Sequence, residues 1–142
     1  MDSDVTMDVL KVSQAEYETL AELRYSLRQF MHFSEVAAHV AGITPQQHQA
    51  LLAIKGFPGG QITIGELAER VQVRHNSAVG LVDRLVLKKF VVRQHLAKDR
   101  RQVSLALTEL GDQMLENLSS AHKEQLHRIG PRIESLLKRL RG

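Results

Sequence analysis

The stretch that decides the fold is Thr63–Lys89, TIGELAERVQVRHNSAVGLVDRLVLKK, with its continuation Phe90–Gly111, FVVRQHLAKDRRQVSLALTELG. Thr63-Ile64-Gly65-Glu66 is a capping box, in which the Thr hydroxyl takes an orphan backbone N–H and the Glu carboxylate returns to the Thr N–H. It opens a short helix that carries Leu67, Ala68 and Val71 inward. A break is expected near Gln72-Val73, and a second helix from about His75 to Lys88 with Val79, Val82, Leu85 and Val86 inward. The period then changes. Phe90-Val91-Val92-Arg93-Gln94-His95 is β-rich, and Val103, Leu105 and Leu107 alternate with polar or small residues, so a hairpin is expected with Ala97-Lys98-Asp99-Arg100 as its turn. A short helix, a tight turn, a second helix and a basic hairpin, in that order, predict a mainly α fold with a small β-hairpin wing, a winged helix-turn-helix. The second helix suits a major groove and the hairpin a flanking minor groove.

Working outward, Ser13-Gln14-Ala15-Glu16 is another capping box. The helix behind it places Tyr17, Leu20, Leu23, Leu27, Phe30 and Met31 near 3.6 periodicity and continues through Val36 and Val40 to Gly42. So long an apolar stripe is buried more easily with help from a second chain. Thr44-Pro45-Gln46-Gln47 combines an N-cap, Pro at the first helical position and Gln three residues on, and its helix should stop near Gly56, before the turn Phe57-Pro58-Gly59-Gly60. Thr108 caps a further helix with Met114, Leu115, Leu118 and Ala121 inward. Gly130-Pro131 is expected to break or sharply kink it, leaving Ile133, Leu136, Leu137 and Leu140 on a final amphipathic helix.

Composition narrows the function classes. At 142 residues the chain reads as a single domain, residues 1–142, and 43% hydrophobic residues suffice for a core. With 4% aromatic residues and no Trp, that core should be aliphatic. No apolar run approaches the roughly 20 residues of a membrane span. Met1-Asp2-Ser3-Asp4-Val5 lacks the basic start and apolar core of a secretion signal, so a cytoplasmic location is expected and no membrane partner. The absence of Cys excludes disulfides, thiolate nucleophiles and thiol redox sensing. The formal net charge is +3, yet residues 63–105 alone hold nine Lys/Arg against four Asp/Glu. The positive surplus is concentrated where phosphate contact would require it.

Particular side chains follow from this arrangement. Arg74, His75, Asn76 and Ser77 lead the second helix, where the positive end of its dipole attracts phosphate and where Asn and Arg can make bidentate base contacts. Gly80, one turn on, would allow close approach, and Arg84 could reach a phosphate or base edge. In the hairpin, Arg93, Lys98, Asp99, Arg100 and Arg101 are the candidates. One arginine would enter the narrow, electronegative minor groove while Asp99 holds the loop.

Ile64-Gly65-Glu66-Leu67-Ala68-Glu69-Arg70-Val71, Arg74-His75-Asn76-Ser77-Ala78-Val79 and Leu81-Val82-Asp83-Arg84-Leu85 resemble the multiple-antibiotic-resistance regulator (MarR) family. Asp99-Arg100-Arg101 followed by Leu107-Thr108 and Gly111 is similar to that family's Asp-x-Arg…Leu-Thr-x-x-Gly wing signature. The resemblance implies a homodimer on double-stranded DNA, usually a repressor on a near-palindromic operator. Helices at about 13–41 and 112–142 would make the dimer, around a DNA-binding lobe at about 44–108. It places Asn76, Ser77 and their neighbours in the major groove and Arg101 in the minor groove, supported by Asp99. Two departures stand out. The family commonly has Gly where Lys89 stands, which implies strain or another helix ending, and the Pro often found ahead of the wing Asp is absent, with Ala97 nearby.

The resemblance further implies release from DNA by a small phenolic or anionic molecule, with Arg24, Arg28, His32 and His48 as candidate contacts. A metal-responsive regulator is an alternative: Glu35 and His39 share a face and His32 lies one heptad earlier, but three or four converging ligands are not evident, and no metal or cofactor is expected. A winged-helix module for protein or RNA contact, without operator binding, is the other. An enzyme is not expected: the chain has no Cys, no Ser/His/Asp motif and no phosphate-binding Gly loop.

Overall fold

The computed structural model describes residues 11–96 and 99–142, with the backbone alone for Leu96 and residues 99–101. The expectations for Met1–Val5, Ala97 and Lys98 lie outside the described residues. Among the described residues the elements run α1 (Gln14–Ala41), α2 (Pro45–Lys55), α3 (Ile64–Val71), α4 (His75–Leu87), β1 (Val91–Leu96), β2 (Asp99–Leu107) and α5 (Glu109–Arg141). The architecture is mainly helical with one antiparallel hairpin.

The helix starts form as their sequences dictate. The Glu16 amide donates to Ser13 Oγ at 3.2 Å and the Ser13 amide to Glu16 Oε1 at 2.9 Å. The same reciprocal box closes at Thr44–Gln47 and at Thr63–Glu66. Each removes orphan backbone donors from a helix end, worth about 1 kcal/mol. Gly42, at φ +87°, ends α1, with the Ile43 amide donating to the Ala38 carbonyl. Gln72 ends α3 in the left-handed region at φ 57°, and its side-chain amide donates to the Glu69 carbonyl at 2.8 Å.

The chain packs as two compact units. The larger, Ser34–His122, holds the aliphatic core: Leu51 and Ile54 of α2, Ile62, Leu67 of α3, Leu81, Val82 and Leu85 of α4, Val91, Leu105, and Leu115 and Leu118 of α5. Burying each such side chain fully contributes about 1.5–3 kcal/mol. The strands pair Val91↔Leu107 through His95↔Val103, and the register shifts before Leu96↔Asp99. Ile62, just before α3, adds a bridge to Leu105, whose amide donates to the Ile62 carbonyl at 2.9 Å. Leu105 is buried in the second strand as expected, but its neighbour Ser104 is buried too, so burial does not alternate strictly there.

The smaller unit contains the start of α1 and the end of α5. Thr19 and Ser26, two turns apart on α1, are buried, as is Leu136 of α5. Arg132 pairs with Glu22 at 2.5 Å.

Two expectations are corrected. Gly130-Pro131 does not break the last helix: α5 runs uninterrupted from Glu109 to Arg141. Pro131 removes one backbone donor from the helix, a local loss that the turns on either side outlast, and Gly130 ahead of it offers no Cβ for the ring to meet. Asp99 and Arg100 belong to β2 rather than to the turn. Much of the α1 stripe is exposed in the single chain: Tyr17, Leu20, Leu27, Met31, Val36 and Val40 each retain at least 40% of their surface. One chain has too few helices to cover both sides of so long an element.

Candidate nucleic-acid interface

α3 and α4 are joined by the left-handed turn at Gln72, where the Val73 amide donates back to the Ala68 carbonyl at 3.0 Å. This sharp reversal sets the angle at which α4 leaves the core. Ala78, Leu81, Val82 and Leu85 anchor α4 inward, which turns Arg74, His75, Asn76 and Ser77 outward, all exposed. Arg74 is the N-cap in extended conformation and makes no side-chain capping bond. The leading end of α4 therefore presents polar side chains beside backbone donors that no capping side chain occupies, an arrangement suited to an anion. Arg84 is exposed, and its guanidinium nitrogens lie 3.9 Å from where a Cβ on Gly80 would stand. The two sequence candidates thus form one local patch.

The hairpin is fixed to α4 at its base. Phe90 and Val91 are buried, and Arg93 of β1 forms an ion pair with Asp83 of α4. Arg93 is thereby engaged within the protein. Lys88 is also tied internally, donating to the Gly42 carbonyl at 3.3 Å and Gln47 Oε1 at 3.2 Å. The side chains of Asp99, Arg100 and Arg101, and all of Lys98, lie outside the described residues; the backbone of residues 99–101 continues β2.

The junction between hairpin and α5 explains the Leu-Thr-x-x-Gly pattern physically. Thr108 Oγ1 donates to the Lys89 carbonyl at 2.6 Å and accepts from the Gly111 amide at 3.0 Å, while the Thr108 amide donates to the Phe90 carbonyl at 3.0 Å. A Cβ on Gly111 would stand 2.1 Å from the Phe90 oxygen, so only glycine fits. Lys89 takes the left-handed conformation at φ 65°, the strained alternative anticipated from its sequence. Its carbonyl is then positioned for Thr108.

The remaining candidates divide. Arg24, Arg28 and His32 are exposed at four-residue spacing along α1. His48 is buried, with its ring 4.7 Å from that of His122. Among the described residues no group of three His, Asp or Glu is placed to hold a metal ion, and no helix is long and apolar enough to cross a membrane. The Asp83–Arg93 pair and the His48–His122 contact were not anticipated. Helical periodicity marks faces but gives no pairing between residues 10 or 74 positions apart.

A helix-turn-helix with a hairpin docked on its second helix defines the winged-helix class. Residues 41–102 match the profile of the MarR family. HTH-type transcriptional repressor MdtR of Bacillus subtilis is 35% identical over 82 residues, 58% of this chain and 52% of MdtR, so the match spans about half of that relative's length. The chain has the winged-helix fold, and over residues 41–102 it is similar to the MarR family. Its fold is shared with the YusO protein of Bacillus subtilis, at a TM-score of 0.62 with 28% identity over 83% of each chain. It is shared also with a MepR variant of S. aureus solved bound to an oligodeoxyribonucleotide, at a TM-score of 0.66 with 18% identity over 92% of this chain and 96% of that one.

Proposed function

We propose that the chain is a sequence-specific DNA-binding transcriptional regulator, a homodimeric repressor of a near-palindromic operator. The observation that carries this reading is the exposed, side-chain-uncapped leading end of α4, with Arg74, His75, Asn76 and Ser77 turned outward beside a hairpin anchored through Asp83 and Arg93. In this reading Asn76 and Ser77 read base edges in the major groove, Arg84 and the Arg74 end of α4 hold phosphate, and Arg101, steadied by Asp99, enters the minor groove. Lys98 and Arg100 add phosphate contacts, and Arg93 acts chiefly as the strut between α4 and β1. The description of one MepR structure as bound to an oligodeoxyribonucleotide supports the same use of this fold.

Exposed apolar side chains on α1 and α5, among them Tyr17, Leu27, Met31, Leu126 and Leu137, support dimerisation through residues of about 13–41 and 112–142, leaving about 44–108 as the DNA-binding lobe. Release by a small phenolic or anionic ligand would draw on Arg24, Arg28 and His32, exposed at four-residue spacing along α1.

Fluorescence anisotropy with a labelled duplex tests the reading. Binding should weaken with salt, and Asn76→Ala should reduce discrimination between operator and random duplex by about 1–3 kcal/mol. Arg101→Ala should lower affinity and reduce the salt slope by about one. Binding that is absent, or indifferent to salt, would instead favour a protein-contact module.

A further inference from the structure

Within the unit Ser34–His122, α1, α2 and α5 meet at a polar cluster to which the DNA-contact surface assigns no task. His48 of α2 is 5% exposed, and its ring lies 4.7 Å from that of His122 on α5, the planes tilted by 47°. His122 Nδ1 is 2.6 Å from the Leu118 carbonyl and its Nε2 is 2.8 Å from Ser34 Oγ of α1. A carbonyl oxygen only accepts, so Nδ1 carries the hydrogen. In the neutral ring Nε2 then accepts from the Ser34 hydroxyl. This bond ties α5 to α1 while the ring face of His122 touches α2.

His48 is placed differently. Its Nδ1 is buried and has no hydrogen-bond partner among the described residues. A neutral ring tolerates that at the loss of one bond, whereas an imidazolium would set a charge in a dry site against a second imidazole. Of the groups on the packed elements, His122 is the one that acts on His48 electrostatically. Lys88 of α4 is held by Gln47 and Gly42, Asp112 of α5 pairs with Lys55 of α2, and Glu35 and His39 of α1 and Glu116 of α5 are exposed.

We propose that His48, His122 and Ser34 form a proton-sensitive latch. A neutral His48 lets α1, α2 and α5 close on one another in this unit, and its protonation sets a buried charge against the His122 ring and loosens the three-helix junction. Burial first, and the neighbouring His122 second, hold the His48 pKa below the ordinary imidazole value of 6.5. The unfolded chain therefore takes up this proton before the folded one. The latch's stability is intact above 6.5 and is lost as pH falls from there through the depressed folded value. Resting on the regulatory function proposed above, acidification becomes a second signal acting on the same lobe.

Hydrogen exchange of the full chain at about pH 7.5 and about pH 5.5, corrected for intrinsic rates, tests the latch. The wild-type protein should lose protection on acidification around Ser34, His48 and His122. His48→Phe, which keeps a ring and cannot titrate, should show no such loss. Equal loss in the variant and the wild type overturns the proposal. So does an NMR titration of the wild-type protein in which His48 protonates at the ordinary imidazole pH, a measurement that holds even if the variant does not fold. No DNA is present in either experiment, so a chain that bound no duplex would leave the result standing.

Discussion

Gly111→Ala should be among the most damaging single-methyl additions in this protein. The added carbon would stand 2.1 Å from the Phe90 carbonyl oxygen, 3.0 Å from its carbon and 3.3 Å from Leu107 Cγ. The oxygen cannot simply yield, because the Thr108 amide donates to it at 3.0 Å and Phe90 is itself buried. Helix and strand end must separate by about an ångström to reach ordinary contact. Overpacking of this kind costs about 1–3 kcal/mol. Loss of the Thr108–Phe90 hydrogen bond adds about 1 kcal/mol, and alanine's helix preference over glycine returns about 1 kcal/mol. The expected net destabilisation is about 1–3 kcal/mol, read from urea unfolding as a lowered midpoint at unchanged slope. Gly65→Ala in α3 is the matched control. Its nearest neighbour would be Thr63 Oγ1 at 3.9 Å, so it should be neutral or slightly stabilising. If both variants unfold with the wild-type protein, the junction is not sterically closed and the account of the Leu-Thr-x-x-Gly pattern fails.

Other substitutions probe the surrounding elements. Lys89→Gly should stabilise by about 0.5–1 kcal/mol, since relief of the left-handed strain exceeds the added entropy of the unfolded chain; a lower unfolding midpoint would show that Lys89 contributes something its backbone angle does not reveal. A double-mutant cycle on Asp83→Ala and Arg93→Ala should give a coupling of about 0.2–1 kcal/mol, modest because the pair is 56% and 37% exposed. The same cycle read in duplex affinity should also show coupling, and strictly additive losses would make Arg93 an independent DNA contact. Leu85→Ala, at a fully buried site, should cost about 2–5 kcal/mol in chemical denaturation.

What the sequence made legible was local. Capping boxes at Ser13, Thr44 and Thr63 act between residues three apart, so their geometry is already implied by the order of residue types. The change of period after Lys89 likewise marked the hairpin, and the polar lead of α4 was readable because its inward residues left Arg74–Ser77 no other side to face. Proline misled for a related reason. Its missing N–H removes one hydrogen bond from the helix, but the turns on either side of Pro131 continue it. Pairings between distant segments were not legible. Asp83 with Arg93, Thr108 with Lys89 and His48 with His122 depend on how elements cross, which a helical period does not encode.

β2 ends at Leu107 and α5 begins at Glu109, so Thr108 alone connects them. Inserting one residue there would turn every following side chain of α5 by about 100° around the helix axis. Leu115 and Leu118 would swing away from the core they now fill, and the polar Asn117 would take the place of Leu118. The spacing from strand to helix is therefore a phase relation as well as a length. Among descendants of this sequence, insertions and deletions should be tolerated almost anywhere sooner than at residue 108.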